Sequence, residues 1–327
     1  MSCYHPLRAL DFGINPDTGK HMIKVIPGEY NKQQSVVNGV DIIPLPCGKC
    51  IGCRLDYSRQ WADRCMLEAQ YHEHNVFLTL TYNDKWLPEP RVGSMIHSLS
   101  KEHLQKFMKR LRKRFPEQRI RFFACGEYGS PEKSFRPHYH LILFGLDLPD
   151  LVMIRKDPKN GFFYYESDII KDIWSDPETH DSYGFHLIAN VTWETCAYTA
   201  RYIVKKQKGI NSSVYEDLNY EPEFTLMSRK PGIGKQFYDD HPDIVMRDYY
   251  ISTDKGSRKI QSNRYYDKLF DFDYHDDLLW IKEDRVKSTL QRDMLKEELS
   301  SLSYIERLRS EEINKEAQIK VLKRKEL

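Results

Sequence analysis

The stretch RPHYHLILFG (136–145) decides how the surrounding sequence folds. Side chains alternate faces along a strand, so His138 and His140 point the same way. The residues after them are apolar on both faces, which predicts a central strand covered on both sides. Two imidazoles at the start of such a strand are about 7 Å apart. This spacing suits one cation bound between them, and the alternative is two ordinary histidines near a strand end.

The flanking segments predict further strands and helices around this stretch. Ser100 is placed to cap a helix over 100–116, and Thr192 is placed to cap a helix that ends at Gly209. The order strand, basic helix, strand, strand, linker, strand, helix predicts an α+β fold, with a central, mainly antiparallel sheet and helices packed on one side. The other predicted elements are a helix over 54–74 and strands over 75–84, 119–129 and 184–191.

The length and composition indicate how the chain is organised. A chain of 327 residues suits one large domain with appendages or two modest domains. We expect a Cys-rich N-terminal segment (1–74), a core (75–210), an irregular extension (211–280) and a charged helical tail (281–327). The sequence shows neither a signal peptide nor a long apolar span, which favours the cytoplasm and no membrane association.

The basic residues are concentrated in two places, although the net charge is only +2. Residues 101–121 contain nine Lys or Arg residues and two acids, and residues 198–208 contain four basic residues and no acid. Two local basic patches on a nearly neutral chain suggest a polyanion that binds at one face. The alternative for each patch is a solvated helix face.

A carboxylate precedes the histidine pair. Glu127 ends the preceding strand in ACGEYG and is expected to lie across a hairpin from His138 and His140. One carboxylate and two imidazoles make a three-ligand site with open positions, which suits Mg²⁺ or Mn²⁺ when a phosphate oxygen completes the shell. Taken alone, Glu127 would be an ordinary surface acid.

Two tyrosines and two lysines follow in the helix that begins after Thr192. Tyr198 and Tyr202 are four residues apart and share one helix face, and Lys205 and Lys206 follow one turn later. A nearby ammonium favours the phenolate and can stabilise a pentacovalent phosphate. Packing is the commoner reason for two tyrosines on one helix.

Three cysteines at CxxCxxC spacing form a second candidate metal site. Cys47, Cys50 and Cys53 can act as thiolate ligands, and Cys65 is a candidate fourth ligand of a structural Zn²⁺. An iron–sulfur cluster and a set of reduced cysteines in a packed loop are the alternatives.

These motifs carry a family resemblance. FLTLTYND, GEYG, RPHYHLILFG and YTARYIVKK, in this order, resemble motifs of rolling-circle replication initiators of the HUH endonuclease superfamily, named after the pattern seen here in His138-Tyr139-His140. The pair Tyr198 and Tyr202 with Lys205 matches the two-tyrosine type. With PCGKCIGCRLDYSRQWADRC included, the whole chain is similar to the initiators of gokushovirus-like microviruses.

The resemblance implies a metal-dependent DNA endonuclease and strand transferase. It implies that Glu127, His138 and His140 bind Mg²⁺ or Mn²⁺, and that a tyrosine attacks single-stranded origin DNA and forms a 5′-phosphotyrosine. It also implies a host cytoplasm setting with a host polymerase. KPGIGK (230–235) lacks the intact phosphate-binding motif, so a host helicase is expected to separate the strands. If only one tyrosine acts, the Tyr-x-x-Lys spacing favours Tyr202.

Two other functions remain open from the sequence. One is a non-catalytic, zinc-dependent nucleic-acid-binding protein that uses its basic helices. The other is a related HUH enzyme in another role, such as a plasmid initiator, a relaxase or a transposase. The tyrosines follow the histidine pair here, whereas relaxases usually carry them before it, so this order favours an initiator or a transposase. The basic helix (101–114) and the 228–235 loop are candidates for contacts with the DNA backbone.

Overall fold

The computed structural model describes most of the chain. Its described residues are 3–16, 21–32, 35–129, 135–158, 161–205, 213–253 and 256–325, and their side chains are described except at 202–205 and 321–325. The chain divides into two units, Met1–Tyr57 with Asp271–Leu327, and Ser58–Phe270. The second unit contains the RPHYHLILFG stretch and its predicted partners.

Strands and helices alternate along the chain. The described strands are β1 (Leu7–Ile14), β2 (His21–Glu29), β3 (Val36–Val37), β4 (Val40–Leu45), β5 (Asn75–Thr81), β6 (Arg121–Tyr128), β7 (Pro137–Phe144), β8 (Val152–Lys156), β9 (Phe163–Glu166), β10 (His186–Asn190), β11 (Phe224–Met227), β12 (Tyr249–Thr253) and β13 (Gly256–Ile260). The described helices are α1 (Ile51–Ala69), α2 (Lys101–Arg114), α3 (Asp168–Ile173), α4 (Trp193–Lys205), α5 (Ser213–Asp217), α6 (Lys235–Asp240), α7 (Arg264–Asp273), α8 (His275–Glu298) and α9 (Tyr304–Lys325).

The second unit is built on a seven-stranded sheet with the order β11-β6-β7-β5-β10-β9-β8. Every neighbouring pair in it is antiparallel. β7 lies between β5 and β6, and its residues are buried except the half-buried His138. The mainly antiparallel α+β sheet and the covered central strand are therefore confirmed.

Helices cover both faces of this sheet, so the expectation of helices on one side is wrong. Leu104 and Phe107 of α2, with Ile170 of α3, share a core with one face of the sheet. Ala62 of α1 and Ala200 of α4 share a second core with the other face. Because β7 is apolar on both faces, each face requires its own helical layer to exclude water.

Local signals in the sequence fix the ends of these elements. Ser100 Oγ accepts a hydrogen bond from the backbone N–H of His103 at 3.2 Å and caps α2, as predicted. Thr192 Oγ1 accepts from the N–H of Thr195 at 3.2 Å before α4. Gly145 ends β7 with φ +73°, and a Cβ there would lie 3.0 Å from the carbonyl oxygen of Arg119.

The segment 211–280 is regular, which corrects its description as an irregular extension. β11 pairs with β6 and forms the edge of the large sheet, and β12 pairs with β13. The low apolar periodicity of this segment hid these short strands, because each has only four or five residues. The four segment boundaries stay a prediction.

Buried charges hold the KPGIGK segment in place. Gly234 donates its backbone N–H to Glu68 Oε2 at 2.7 Å, and Arg64 donates to the carbonyl oxygen of Ile233 at 2.8 and 3.0 Å. Arg121 donates to Pro231 O at 2.9 Å and pairs with Glu68. The backbone of this loop is thus fixed by protein groups and does not form a phosphate-binding loop.

The first unit has its own sheet and the helical tail. Its strand order is β2-β1-β4-β3. Lys296 of α8 lies 2.8 Å from Glu311 of α9, and the ring of Tyr304 meets that of Tyr30 edge-on at 5.9 Å. The tail is helical as expected, and α9 packs against residues that follow the first strands.

Candidate metal and tyrosine site

Strand register brings the carboxylate to the histidine pair. In the β6–β7 ladder, Glu127 stands opposite His138. Glu127 Oε1 lies 2.5 Å from His138 Nε2 and 3.0 Å from His140 Nε2. The three side chains that the sequence grouped are therefore together, and both imidazoles point at one carboxylate oxygen.

Glu127 is almost completely buried, with 1% of its surface exposed. Burial by itself would raise the pKa of this carboxyl group. The hydrogen bonds from His138 and His140 outweigh burial and lower the pKa of Glu127 to about 2. Glu127 is consequently ionised at neutral pH, which is the form that binds a cation.

Backbone and side-chain groups orient the two imidazoles. His138 Nδ1 lies 3.1 Å from the carbonyl oxygen of Arg136, which can only accept a hydrogen bond. His140 Nδ1 lies 2.9 Å from Thr79 Oγ1 on β5. Hydrogen bonds at Nδ1 fix the ring orientation and leave each Nε2 for a cation. Sequence reasoning missed Thr79, although the strand alternation in FLTLTYND places it on the same face as the histidines.

The helix with the tyrosines packs over the same face of the sheet. The ring of Tyr198 meets the ring of His140 edge-on, with 5.1 Å between the centroids. Phe77 of β5 lies under both, 5.8 Å from His140 and 6.4 Å from Tyr198. Tyr198 remains 36% exposed, so a ligand can reach it.

The other predicted residues of this helix are only partly described. Tyr202 and Lys205 belong to α4, but their side chains lie outside the described residues. Lys206 lies outside them entirely. The preference for Tyr202 as the single nucleophile therefore stays a prediction, and Tyr198 is the tyrosine whose contact with the metal-site residues is seen.

The three side chains fit a divalent cation. Their ligand atoms all lie within 4.8 Å of one another. One carboxylate oxygen and two imidazole nitrogens occupy three positions and leave others for water or a phosphate oxygen, an arrangement compatible with Mg²⁺ or Mn²⁺. A closed structural zinc site would usually have a fourth protein ligand.

A cleft opens beside His138. Its volume is 540 Å³, within the range of about 300–1,000 Å³ that holds small organic ligands. It is lined in part by Asn83, Arg136, His138 and Phe185. The Phe185 side chain is 75% exposed, and its carbonyl oxygen accepts from the N–H of Thr81 at 2.9 Å. Sequence reasoning missed Phe185 because it precedes a strand and has no motif around it.

The basic helix α2 packs on the opposite face of the sheet from the histidines. Its Arg110 donates to the carbonyl oxygen of Ser175, and its Arg112 donates to that of Ile120. These two guanidinium groups already bind protein carbonyls, which gives them a structural role. The contact of this helix with DNA stays a prediction, as does that of the 228–235 loop.

A second group of metal-ligand side chains lies in the first unit. Cys47, Cys50 and Cys53 converge as predicted, but the fourth sulfur is that of Cys3, and the expectation for Cys65 is wrong. Twelve residues of α1 separate Cys53 from Cys65, a rise of about 18 Å. Cys65 is instead buried in the apolar core on the α1 and α4 face. Cys3 was missed because it lies far from the others in sequence.

Known proteins similar to this chain share one description. The family model of replication-associated proteins of the ORF2 type matches residues 75–207. Replication-associated protein ORF2 of Spiroplasma virus 4 is 33% identical over 322 residues, covering 95% of this chain and 94% of that protein. Replication-associated protein VP4 of Bdellovibrio phage phiMH2K is 30% identical over 245 residues, covering 73% of each chain.

A third relative is shorter in its match. Replication-associated protein ORF4 of Chlamydia phage 1 is 32% identical over 171 residues, covering 50% of this chain and 38% of that protein. No solved structure matches this chain. Among the described residues, no helix has the length and apolar character needed to cross a membrane.

Proposed function

This chain belongs to the family of phage replication-associated proteins, and from that premise we propose that it initiates rolling-circle replication by nicking and rejoining single-stranded origin DNA. The observation that carries the proposal is the convergence of Glu127, His138 and His140 beside Tyr198. Its relatives bear replication names, which favours an initiator over a transposase or a relaxase.

The chemistry is a phosphodiester exchange. The phenolic oxygen of a tyrosine attacks the scissile phosphorus, the bond from phosphorus to the 3′-oxygen breaks, and that oxygen takes a proton to become a free 3′-hydroxyl. The products are a 5′-phosphotyrosine and a primer end for a host polymerase. A divalent cation bound by Glu127, His138 and His140 would polarise the phosphate and neutralise developing charge.

Two tyrosines allow the reaction to run twice. In this proposal Tyr198 and Tyr202 are the nucleophiles, and Lys205 and Lys206 favour the phenolate and stabilise charge on phosphorus. After one round of copying, the second tyrosine cleaves the regenerated origin. The freed 3′-hydroxyl then attacks the first phosphotyrosine and closes a circle. No ATP is consumed, because the phosphotyrosine conserves the energy of the phosphodiester bond.

The cleft beside His138 supplies a place for unpaired DNA. The exposed ring of Phe185 can stack on a base, because every base has an aromatic face. Arg136 borders the same cleft and donates to the carbonyl oxygen of Tyr82 at 2.9 Å. A host helicase would supply the single strand, and the host cytoplasm would be the setting.

A covalent trapping experiment tests the proposal. The full chain is mixed with a labelled single-stranded oligonucleotide of the phage origin and Mn²⁺, and we expect a protein–DNA adduct that survives denaturation. His140→Ala should abolish the adduct while binding of the same oligonucleotide persists, because the DNA contacts extend beyond the cation. His97→Ala, at a surface position in the same unit, is the matched control and should form the adduct normally.

Two results would count against the proposal. DNA binding without any adduct, across Mg²⁺ and Mn²⁺, would favour a non-catalytic nucleic-acid-binding protein. An adduct that persists in the double variant Tyr198→Phe, Tyr202→Phe would show that the nucleophile lies elsewhere. Loss of DNA binding and of the adduct together in His140→Ala would indicate misfolding, which circular dichroism of the variant would reveal.

A further inference from the structure

Four cysteines from three separate segments meet in the first unit. Cys3 precedes β1, Cys47 follows β4, and Cys50 and Cys53 lie at the start of α1. The adjacent ends of β1 and β4 are in register, with Leu7 opposite Leu45. A shared ligand would therefore join two paired strand ends to the first turn of a helix.

The spacing of the sulfurs fits one tetrahedral ion. All four Sγ atoms lie within 4.8 Å of one another, and Cys3 Sγ is 4.0 Å from Cys50 Sγ. Zinc–sulfur bonds of about 2.3 Å at tetrahedral angles place sulfurs about 3.8 Å apart. A disulfide needs about 2.05 Å. An iron–sulfur cluster would hold its cysteines further apart, because several metal atoms separate them.

Backbone N–H groups point at these sulfurs. Cys47 Sγ accepts from the N–H groups of Lys49 at 3.4 Å and Cys50 at 3.3 Å. Cys3 Sγ accepts from the N–H of Cys47 at 3.2 Å, and Cys50 Sγ accepts from that of Tyr4 at 3.4 Å. Such donors stabilise the negative charge of thiolates bound to a metal.

The sheet beside this cluster has a sparse apolar core. In β2 no residue is buried, and Val25 is 54% exposed. In β1 and β4 the buried residues are Ala9 and Ile42. A small sheet that buries little apolar surface gains much of its stability from a bound metal, since the free energy of metal binding becomes free energy of folding.

We propose that Cys3, Cys47, Cys50 and Cys53 bind one structural Zn²⁺ that fastens β1 and β4 to the start of α1. The site is closed by four protein ligands, so the ion serves structure and takes no part in the reaction at Glu127, His138 and His140. The proposal is independent of the nicking activity.

Metal analysis of the purified full chain tests the proposal. We expect one zinc ion per chain by plasma mass spectrometry, and at least a tenfold lower zinc content in Cys3→Ser. Cys65→Ala is the matched control, because Cys65 is the cysteine that sequence spacing alone would have chosen, and it should retain its zinc. Zinc-free wild-type protein, or equal zinc loss in Cys3→Ser and Cys65→Ala, would overturn the proposal.

Cobalt substitution keeps the test decisive if Cys3→Ser fails to fold. Wild-type chain refolded with Co²⁺ should show the intense thiolate-to-cobalt charge-transfer absorption of a tetrahedral four-sulfur site. A spectrum of a cobalt site that has only nitrogen and oxygen ligands would contradict the proposal, as would stoichiometric iron with visible absorption in the protein as isolated. Both measurements omit DNA, so their failure would leave the proposed nicking reaction unaffected.

Discussion

The ring of Tyr198 stands edge-on to the ring of His140, with 5.1 Å between their centroids. α4 supplies the tyrosine and β7 supplies the histidine, and 57 intervening residues separate them in sequence. The contact places a phenol beside a group that can hold a cation. In α4, Tyr202 follows one turn later on the same side.

Tyr198→Phe should separate cleavage from circle closure. Both steps need a nucleophile, so we expect Tyr202 still to form an adduct while the yield of closed circles falls by about 100-fold or more. Gel analysis of a substrate with two origin copies measures both products. Tyr250→Phe, at an exposed position in the same unit, is the control, and normal circle yield in Tyr198→Phe would exclude a role for Tyr198 in closure.

Thr79→Val should weaken the metal site without removing a ligand. The change deletes the hydrogen bond from Thr79 to His140 Nδ1 at 2.9 Å, so the ring loses its fixed orientation. Loss of such an outer partner typically lowers metal affinity by about 10–100-fold. Mn²⁺ titration followed by electron paramagnetic resonance measures it. Thr225→Val on β11 should leave the affinity unchanged, and equal affinities for wild type and Thr79→Val would refute the assignment.

Phe185→Ala should weaken binding of single-stranded DNA. Stacking of one base on an aromatic side chain contributes about 1–3 kcal/mol, which corresponds to a loss of about 5–150-fold in affinity. Fluorescence anisotropy with a short oligonucleotide measures the change. Phe272 is 92% exposed in the other unit, so Phe272→Ala is the control. If both variants bind like wild type, the cleft beside His138 does not seat a base through Phe185.

Glu68→Gln should destabilise the second unit. The substitution leaves Arg121 buried without its counter-charge, and breaking a buried ion pair in this way typically costs about 3–5 kcal/mol. Urea denaturation followed by tryptophan fluorescence measures the free energy of unfolding. Glu102→Gln removes an exposed pair with Lys106 and should leave that free energy nearly unchanged. Similar stability of the two variants would contradict this role for Glu68.

The same pair predicts a pH dependence. Burial by itself would raise the pKa of Glu68, but hydrogen bonds from His72, the Gly234 N–H and Arg121 outweigh it and lower the pKa. A lowered folded pKa stabilises the protein fully above the unfolded value of about 4.3, and this stabilisation is lost as the pH falls through the folded value. Unfolding of Glu68→Gln should therefore depend less on pH in that acidic range than unfolding of the wild type.

Local patterns in the sequence were sufficient for the central strands and their partners. Alternation in 136–145 indicated which side chains share a face, and the hairpin placed Glu127 opposite the histidines, because strand geometry follows from nearest neighbours. Ser100 and Thr192 marked the starts of α2 and α4 for the same local reason. The short strands after residue 211 were missed, since four or five residues carry too little periodicity.

The sequence by itself determined the ligand set Glu127, His138 and His140 and the helix that bears Tyr198, because periodicity and chemistry within short segments specify them. Only the tertiary structure decided that helices cover both faces of the sheet, that Phe185 borders the cleft, and that Cys3 replaces Cys65 beside the other cysteines. The physical reason is distance along the chain. These contacts join segments whose separation in sequence carries no information about their separation in space, so packing has to select them.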